Sequence, residues 1–145
     1  MARAEIISVI ALLVSIGSLG FFIYFNYRDR AHLKATSRFY PGDPDYGPPH
    51  ISVTIVNAGR RPIILRMWGG TDKEDHWVGH FLGEGKSGLR LGEHERHDLS
   101  LEKDDLFAAT LTDDVLFENL WVEDSLGRRH PIKDAKANVK QLWNT

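Results

Sequence analysis

A chain of 145 residues has room for one membrane segment and one domain of roughly 110 residues, which excludes a second folded core. A formal charge of -2, with the two signs interspersed, gives no field to gather nucleic acid, so no nucleic-acid partner is expected. The lack of cysteine excludes disulfides, zinc–thiolate sites, iron–sulfur clusters and a thiol nucleophile, and it fits a reducing compartment without requiring one.

From Ile6 to Phe25 the chain carries neither charge nor proline, and twenty helical residues reach about 30 Å, the thickness of a bilayer's hydrocarbon core. Thirteen of these twenty are Ile, Leu, Val or Phe, whose summed insertion free energy of several kcal/mol outweighs the few serines and glycines. A secretory signal wants a shorter apolar core and a small-residue cleavage site. Here Phe25, Asn26, Tyr27 and Arg28 follow instead, so an uncleaved single-pass anchor over residues 1–30 is expected. Arg3 and the terminal amine precede the span, whereas Arg28, Arg30, Lys34 and Arg38 follow it. Basic flanks stay inside, which places the chain in the inner (cytoplasmic) membrane with its N-terminus outside and its domain cytoplasmic. Phe21, Phe22, Tyr24, Phe25 and Tyr27 crowd the basic end beside Arg28 and Arg30, a composition suited to the lipid headgroup layer. Ser8, Ala11, Ser15 and Ser18 recur at helical spacing and form a small-residue stripe on which another transmembrane helix can pack closely.

Beyond Arg30 the period falls to two. Leu33, Ala35, Ser37 and Phe39 predict one face of a strand, and a Pro/Gly-rich loop over 38–50 interrupts it, with Tyr46 packed on it. Ile51 to Val56 and Ile63 to Trp68 predict a hairpin around Asn57, Gly59 and Pro62, and His76 to Leu82 with Leu89 to Leu91 predict a meander around Gly83, Gly85 and Gly88. After a turn at Gly92 and Glu93, Arg96 to Leu101 reads as a strand and Glu102 to Thr110 as a short helix with an acidic first turn. Val115 to Glu123 reads as a strand, with Leu116, Asn119 or Leu120, and Val122 contending for the core. A turn at Asp124 to Gly127 returns it through Arg128 to Ile132. Ala135, Val139, Leu142 and Trp143 are spaced for an amphipathic helix over 133–143. Seven or eight short strands separated by turns predict that residues 31–145 form a mostly β domain, an immunoglobulin-like β-sandwich with a short C-terminal helix.

The segments VSIGSLGFFIYFNYRDR, VNAGRRPIIL, LGEHERHDLSL and WVEDSLGRRH give the chain its one resemblance. It resembles a loose class of uncharacterised bacterial proteins with a single N-terminal membrane anchor and a small β-sandwich. The resemblance implies a fold and an anchor, and it implies no catalytic residue.

Chemistry-bearing residues are present without the spacing that chemistry needs. His76 and His80 share a strand face but lie about 13 Å apart, too far to chelate together. His94 and His97 beside Glu93, Glu95 and Asp98 read as a solvated turn, and so do Asp72, Glu74 and Asp75, which lack the glycine and distal glutamate of a calcium loop. There is no G-x-S-x-G elbow and no phosphate loop, since Lys86 and Ser87 lack the preceding spacing. Asp104, Asp105, Asp113 and Asp114 read as surface charge. No metal, cofactor or enzymatic activity is expected. Trp68, Trp77, Trp121 and Trp143 are expected in core or interface packing. Arg60 with Arg61, and Arg128 with Arg129, stand at turn tips where a headgroup or an acidic partner surface can meet them.

The reading that absorbs these features is a non-enzymatic accessory subunit of a larger membrane complex, bound to lipid and to other transmembrane proteins, a hetero-complex in preference to a homo-oligomer. The alternative is an independent membrane-anchored sensor or ligand-binding module, which requires a concave pocket with converging polar groups.

Overall fold

A computed structural model describes residues 2–45, 47–83, 87–103 and 117–145. The chain divides after Arg30 into two units. The first holds one helix, α1 (Ala2–Arg28), whose first turn carries Glu5 and last turn Arg28, each of the sign that the helix dipole favours there. Its apolar run is long and uncharged enough to cross a bilayer.

The second unit is mostly β: antiparallel sheets followed by a short C-terminal helix, as the period-two patterns predict. Its strands are β1 (Leu33–Tyr40), β2 (His50–Asn57), β3 (Ile63–Thr71), β4 (Trp77–Phe81), β5 (Leu89–Leu91), β6 (Arg96–Glu102), β7 (Asn119–Asp124) and β8 (Arg129–Pro131). α2 (Ala135–Trp143) closes the chain. One sheet has the order β1-β2-β6 and the other β4-β3-β7-β8, with β5 also paired to β3. The loop before β2 is shorter than 38–50, because β1 continues to Tyr40 in register with His50. The helix expected over 102–110 and the start of the strand at Val115 and Leu116 fall outside the described residues, and so does Tyr46. β7 itself begins at Asn119.

Both sheets feed one core. Ile51, Val53 and Ile55 of β2 are wholly buried, each stabilising the fold by about 1.5–3 kcal/mol, and they join Leu65, Trp68, Leu120 and Val122 from the other sheet. α2 packs against β1, β2 and β7 through Ala135, Val139 and Leu142, the helical spacing read from the sequence. A second link crosses between sheets just before it: Ile132 N–H donates to Leu120 O, and Lys133 N–H to Ala35 O. Lys133 O in turn accepts from Ser37 N–H, so this segment also pairs with the outer edge of β1.

The predicted hairpin between Ile51 and Trp68 does not form. β2 pairs with β1 and β6, while β3 pairs with β4, β5 and β7 in the other sheet, so residues 58–62 are a crossover. Asn57 accounts for the difference. Its side chain is fully buried, and Nδ2 donates to Arg61 O (2.8 Å), Gly92 O (2.9 Å) and Leu91 O (3.3 Å) while Oδ1 accepts from Gly59 N–H. A hairpin asparagine would face solvent and serve its own turn. This one joins the crossover to the turn before β6. The predicted meander is corrected too: β4 and β5 do not pair with each other but lie end to end along the same edge of β3.

Replacing Asn57 by alanine takes a partner from Gly59 N–H and from the Arg61, Leu91 and Gly92 carbonyls, of which Gly92 O keeps only a 3.3 Å bond from Glu95 N–H, so Asn57→Ala should lose about 1–3 kcal/mol. Urea titration of the detergent-solubilised chain, followed by tryptophan fluorescence, measures this. A loss below about 1 kcal/mol would show that the amide is not the tie.

Candidate functional site

On α1 every side chain from Ile6 to Phe25 is exposed. The hydroxyls of Ser8 and Ser15 donate to Ala4 O and Ala11 O within the helix, so the stripe of Ser8, Ala11, Ser15 and Ser18 offers a low surface rather than free donors. A second low surface escaped the sequence reading. Gly17 and Gly20, with no atom near the position of a Cβ, form a shallow notch bordered by Phe21 and Tyr24. At 3.6 residues per turn the two surfaces are about 150° apart, on different faces of the helix. At the basic end, the Arg28 guanidinium lies over Tyr24 and Phe25 at 5.6 and 5.1 Å, and Arg30 lies over Tyr27 at 5.9 Å. Phe21 stacks on Phe25, while Phe22 is exposed.

The domain's most elaborate surface is the outer face of the β4-β3-β7-β8 sheet. A register shift between Leu65 and Met67 turns Trp68 to the core and leaves Met67, Gly69 and Thr71 facing outward. Gly69 pairs with Gly79 on one side and Trp121 on the other. These two glycines make a bed for the Trp121 indole: a Cβ on Gly69 would stand 2.8 Å from Trp121 Cζ2, and one on Gly79 3.3 Å from Cη2. Trp121 Nε1–H donates to Thr71 Oγ1 at 2.8 Å. Trp77 meets Trp121 edge-on, and the Arg129 guanidinium lies 4.8 Å from the Trp77 ring centre and 4.2 Å from that of Trp121, with Glu123 pairing its Nε. Met67 and Trp121 are buried although they lie outside the core cluster. Trp77 and Phe81 stay half or more exposed on β4.

Arg129 is therefore not a turn-tip cation, as expected, but part of this aromatic stack on β8. The sequence signal for the stack was present in the consecutive apolar residues of MWGG and LWV, which violate the alternation of a strand with one wet face. Arg128 does occupy the β7–β8 turn. Arg60 and Arg61 sit in the crossover rather than at a hairpin tip, with Arg60 3.8 Å from Glu93.

The remaining polar clusters serve local structure. Asp72 accepts from the N–H groups of Glu74 and His76 and faces His76 Nδ1 at 3.1 Å, closing the β3–β4 turn; His80 stacks on Trp68 instead. Arg96, Asp98 and Thr54 form one surface network. Among the described residues no group of three or more His, Asp or Glu is arranged to hold a metal. Asp104, Asp105, Asp113, Asp114 and Lys86 fall outside them. A cavity of about 200 Å³ is lined by Pro48, Pro49, Glu102, Lys103, Leu142 and Thr145.

Asp124 holds the β7–β8 turn. Oδ1 accepts from Leu126 and Arg128 N–H, and Oδ2 lies 3.0 Å from His130 Nε2. Burial pushes this carboxyl upward, but the bonds from His130, Arg128 and Leu126 outweigh it and hold it below the ordinary carboxylate value. A lowered folded value means that the stabilisation is complete above the unfolded value and fades as pH falls through the folded one. Asp124→Asn should therefore flatten the loss of urea resistance as pH falls below about 4, the ordinary carboxylate value, and an unchanged acid profile would remove this carboxylate from it.

The glycine bed yields a second expectation. Gly69→Ala forces a methyl against the Val78 carbonyl and the Trp121 ring and should cost about 1–3 kcal/mol. Arg129→Ala should shift tryptophan emission with a smaller loss, about 1–2 kcal/mol. Wild-type emission and stability in both variants would dissolve the platform.

No family model matches the chain, and no curated protein matches it. Among solved structures it is similar to the X-ray structure of a Northeast Structural Genomics Consortium target, SoR45, at 14% identity over 72% of this chain and 82% of that one, with a TM-score of 0.32. At that score the likeness carries no argument about fold or function.

Proposed function

We propose that the protein is a non-enzymatic accessory or assembly subunit of a larger membrane complex, held in the cytoplasmic membrane by α1 with its N-terminus outside and its β domain in the cytoplasm. The observation that carries this reading is the unbroken exposure of apolar side chains from Ile6 to Phe25, a surface far beyond what a water-soluble monomer leaves bare. The basic, aromatic end of the helix supports the orientation, because lysine and arginine remain cytoplasmic and aromatic rings settle at the interface.

Partner contact is supported at two places. The small-residue stripe and the Gly17/Gly20 notch give α1 two close-approach faces, and two faces suit a helix set among others better than a lone tether. On the domain, Trp77 and Phe81 stand exposed beside a rigid bed, the combination of anchor residue and fixed backbone found at interface centres. The immunoglobulin-like reading of the domain draws support from strand order, since β1-β2-β6 opposes β4-β3-β7-β8 with every strand pair antiparallel. Sensing through a ligand pocket is the second reading. It rests on the cavity beside Pro48 and Leu142, whose volume of about 200 Å³ falls below the usual ligand range of about 300–1,000 Å³.

Extraction in a mild detergent followed by mass spectrometry tests the proposal. Larger membrane proteins should co-purify in fixed ratio, and a monomer alone overturns it. Ala11→Leu with Ser15→Leu, or Phe81→Ser, should reduce that co-purification; full recovery in both would remove these faces from the interface.

A further inference from the structure

The fold gathers three loops at one end of the β domain, two of them carrying arginines and the third Glu93 and Glu95, and it is the end at which the chain enters. Leu33, the first residue of β1, pairs with Asn57 at the close of β2, and Val56 pairs with Arg96 at the start of β6. Ile63, opening β3, pairs with Leu91, and Leu65 pairs with Asp124. The loops 58–62, 92–95 and 125–128 therefore lie together at the entry end. They are tied there: Ala58 N–H donates to His32 O at 2.7 Å, Asn57 binds both of the first two loops, and Ser125 N–H donates to Ile64 O.

Charge at this end is unevenly matched. Glu95 is engaged by Gly92 N–H, and Glu93 is shared by Arg60 and His94. Arg61 and Arg128 are exposed and have no side-chain partner among the described residues. Between them in the 125–128 turn stands Leu126, 73% exposed, an apolar side chain at a loop tip. Only residues 29–32 separate α1 from β1, and four residues reach at most about 14 Å. If α1 is anchored as proposed above, so short a tether keeps the entry end within reach of the headgroup layer.

We propose that this end of the domain is a membrane-binding surface for anionic phospholipid headgroups, with Arg61 and Arg128 contacting phosphate, Arg60 shared with Glu93, and Leu126 entering the interfacial layer. The inference rests on the membrane anchorage proposed above and adds a second, lipid-selective contact that orients the domain. Each exposed arginine near an anionic leaflet strengthens docking about five-fold.

The chain contains no cysteine, so a single nitroxide reports one position. Full-length protein labelled at Leu126→Cys, or separately at Ile16→Cys, is placed in nanodiscs of phosphatidylcholine with or without phosphatidylglycerol, and a lipid-borne relaxation agent reads each label's depth. The Ile16 label should lie in hydrocarbon in both discs, whereas the Leu126 label should meet the agent only when phosphatidylglycerol is present and withdraw at high salt. Arg61→Ser with Arg128→Ser should weaken docking roughly 25-fold and leave the Ile16 label unmoved. A buried Ile16 label with a Leu126 label in water in both discs overturns this inference alone. An Ile16 label in water overturns the anchorage beneath it.

Discussion

The β domain depends on how one buried amide is satisfied. Asn57 ends a strand whose other inward residues are Ile51, Val53 and Ile55, so the alternation of β2 carries its side chain into the interior. A buried amide must be fully bonded to be tolerated. Arg61, Leu91 and Gly92 supply carbonyls, and Gly59 supplies an N–H, which draws the crossover and the turn before β6 onto one point. Beyond that junction β3 starts the second sheet, and the crossover and the turn before β6 lie together at the entry end.

The outer face of the second sheet shows a different economy of space. A sheet with one face on a core ordinarily leaves the other to polar side chains. Here Gly69 and Gly79 lower the surface, Trp121 fills the space, Thr71 satisfies its N–H, and Arg129 covers the rings while Glu123 meets the guanidinium. Each member needs the others: the indole would stand proud of the sheet without the glycines, and the arginine would be an ordinary surface cation without the rings. The result is a closely packed patch with Trp77 and Phe81 still exposed beside it. Helix α1 is fit for another solvent: in hydrocarbon its leucines and isoleucines would need no partner, and shape rather than hydrophobicity would distinguish its small-residue faces from the rest.

Elements whose stability is local were legible in the residues. The length and uncharged composition of Ile6 to Phe25 suffice for α1. The alternation of LKATSRFY, the Asp-Ser-Leu-Gly turn between β7 and β8, and the spacing of Ala135, Val139 and Leu142 were read as they stand. The error at residues 51–68 has a physical cause. Two β-branched runs joined by Asn, Gly and Pro describe a tight turn and a sheet-to-sheet crossover equally well, because turn chemistry specifies how the chain bends and not which strand receives it. The choice lay with Leu91, Gly92 and Glu95, more than thirty residues away.

The candidate surfaces divide along the same line. By itself the sequence determined an apolar helix fit for a bilayer, a small-residue stripe on it, an aromatic and basic end, and a mostly β domain behind it. These are matters of composition and short-range period. Only the tertiary structure decided that Arg129 stacks on Trp77 and Trp121 while Arg61 and Arg128, exposed at the entry end, have no side-chain partner among the described residues. Neighbouring arginines in a sequence differ by which side of a strand or turn they leave, and that is set by long-range register. The glycine bed under Trp121 is likewise invisible until β4, β3 and β7 are laid side by side, since Gly69, Gly79 and Trp121 acquire a common surface only through pairing.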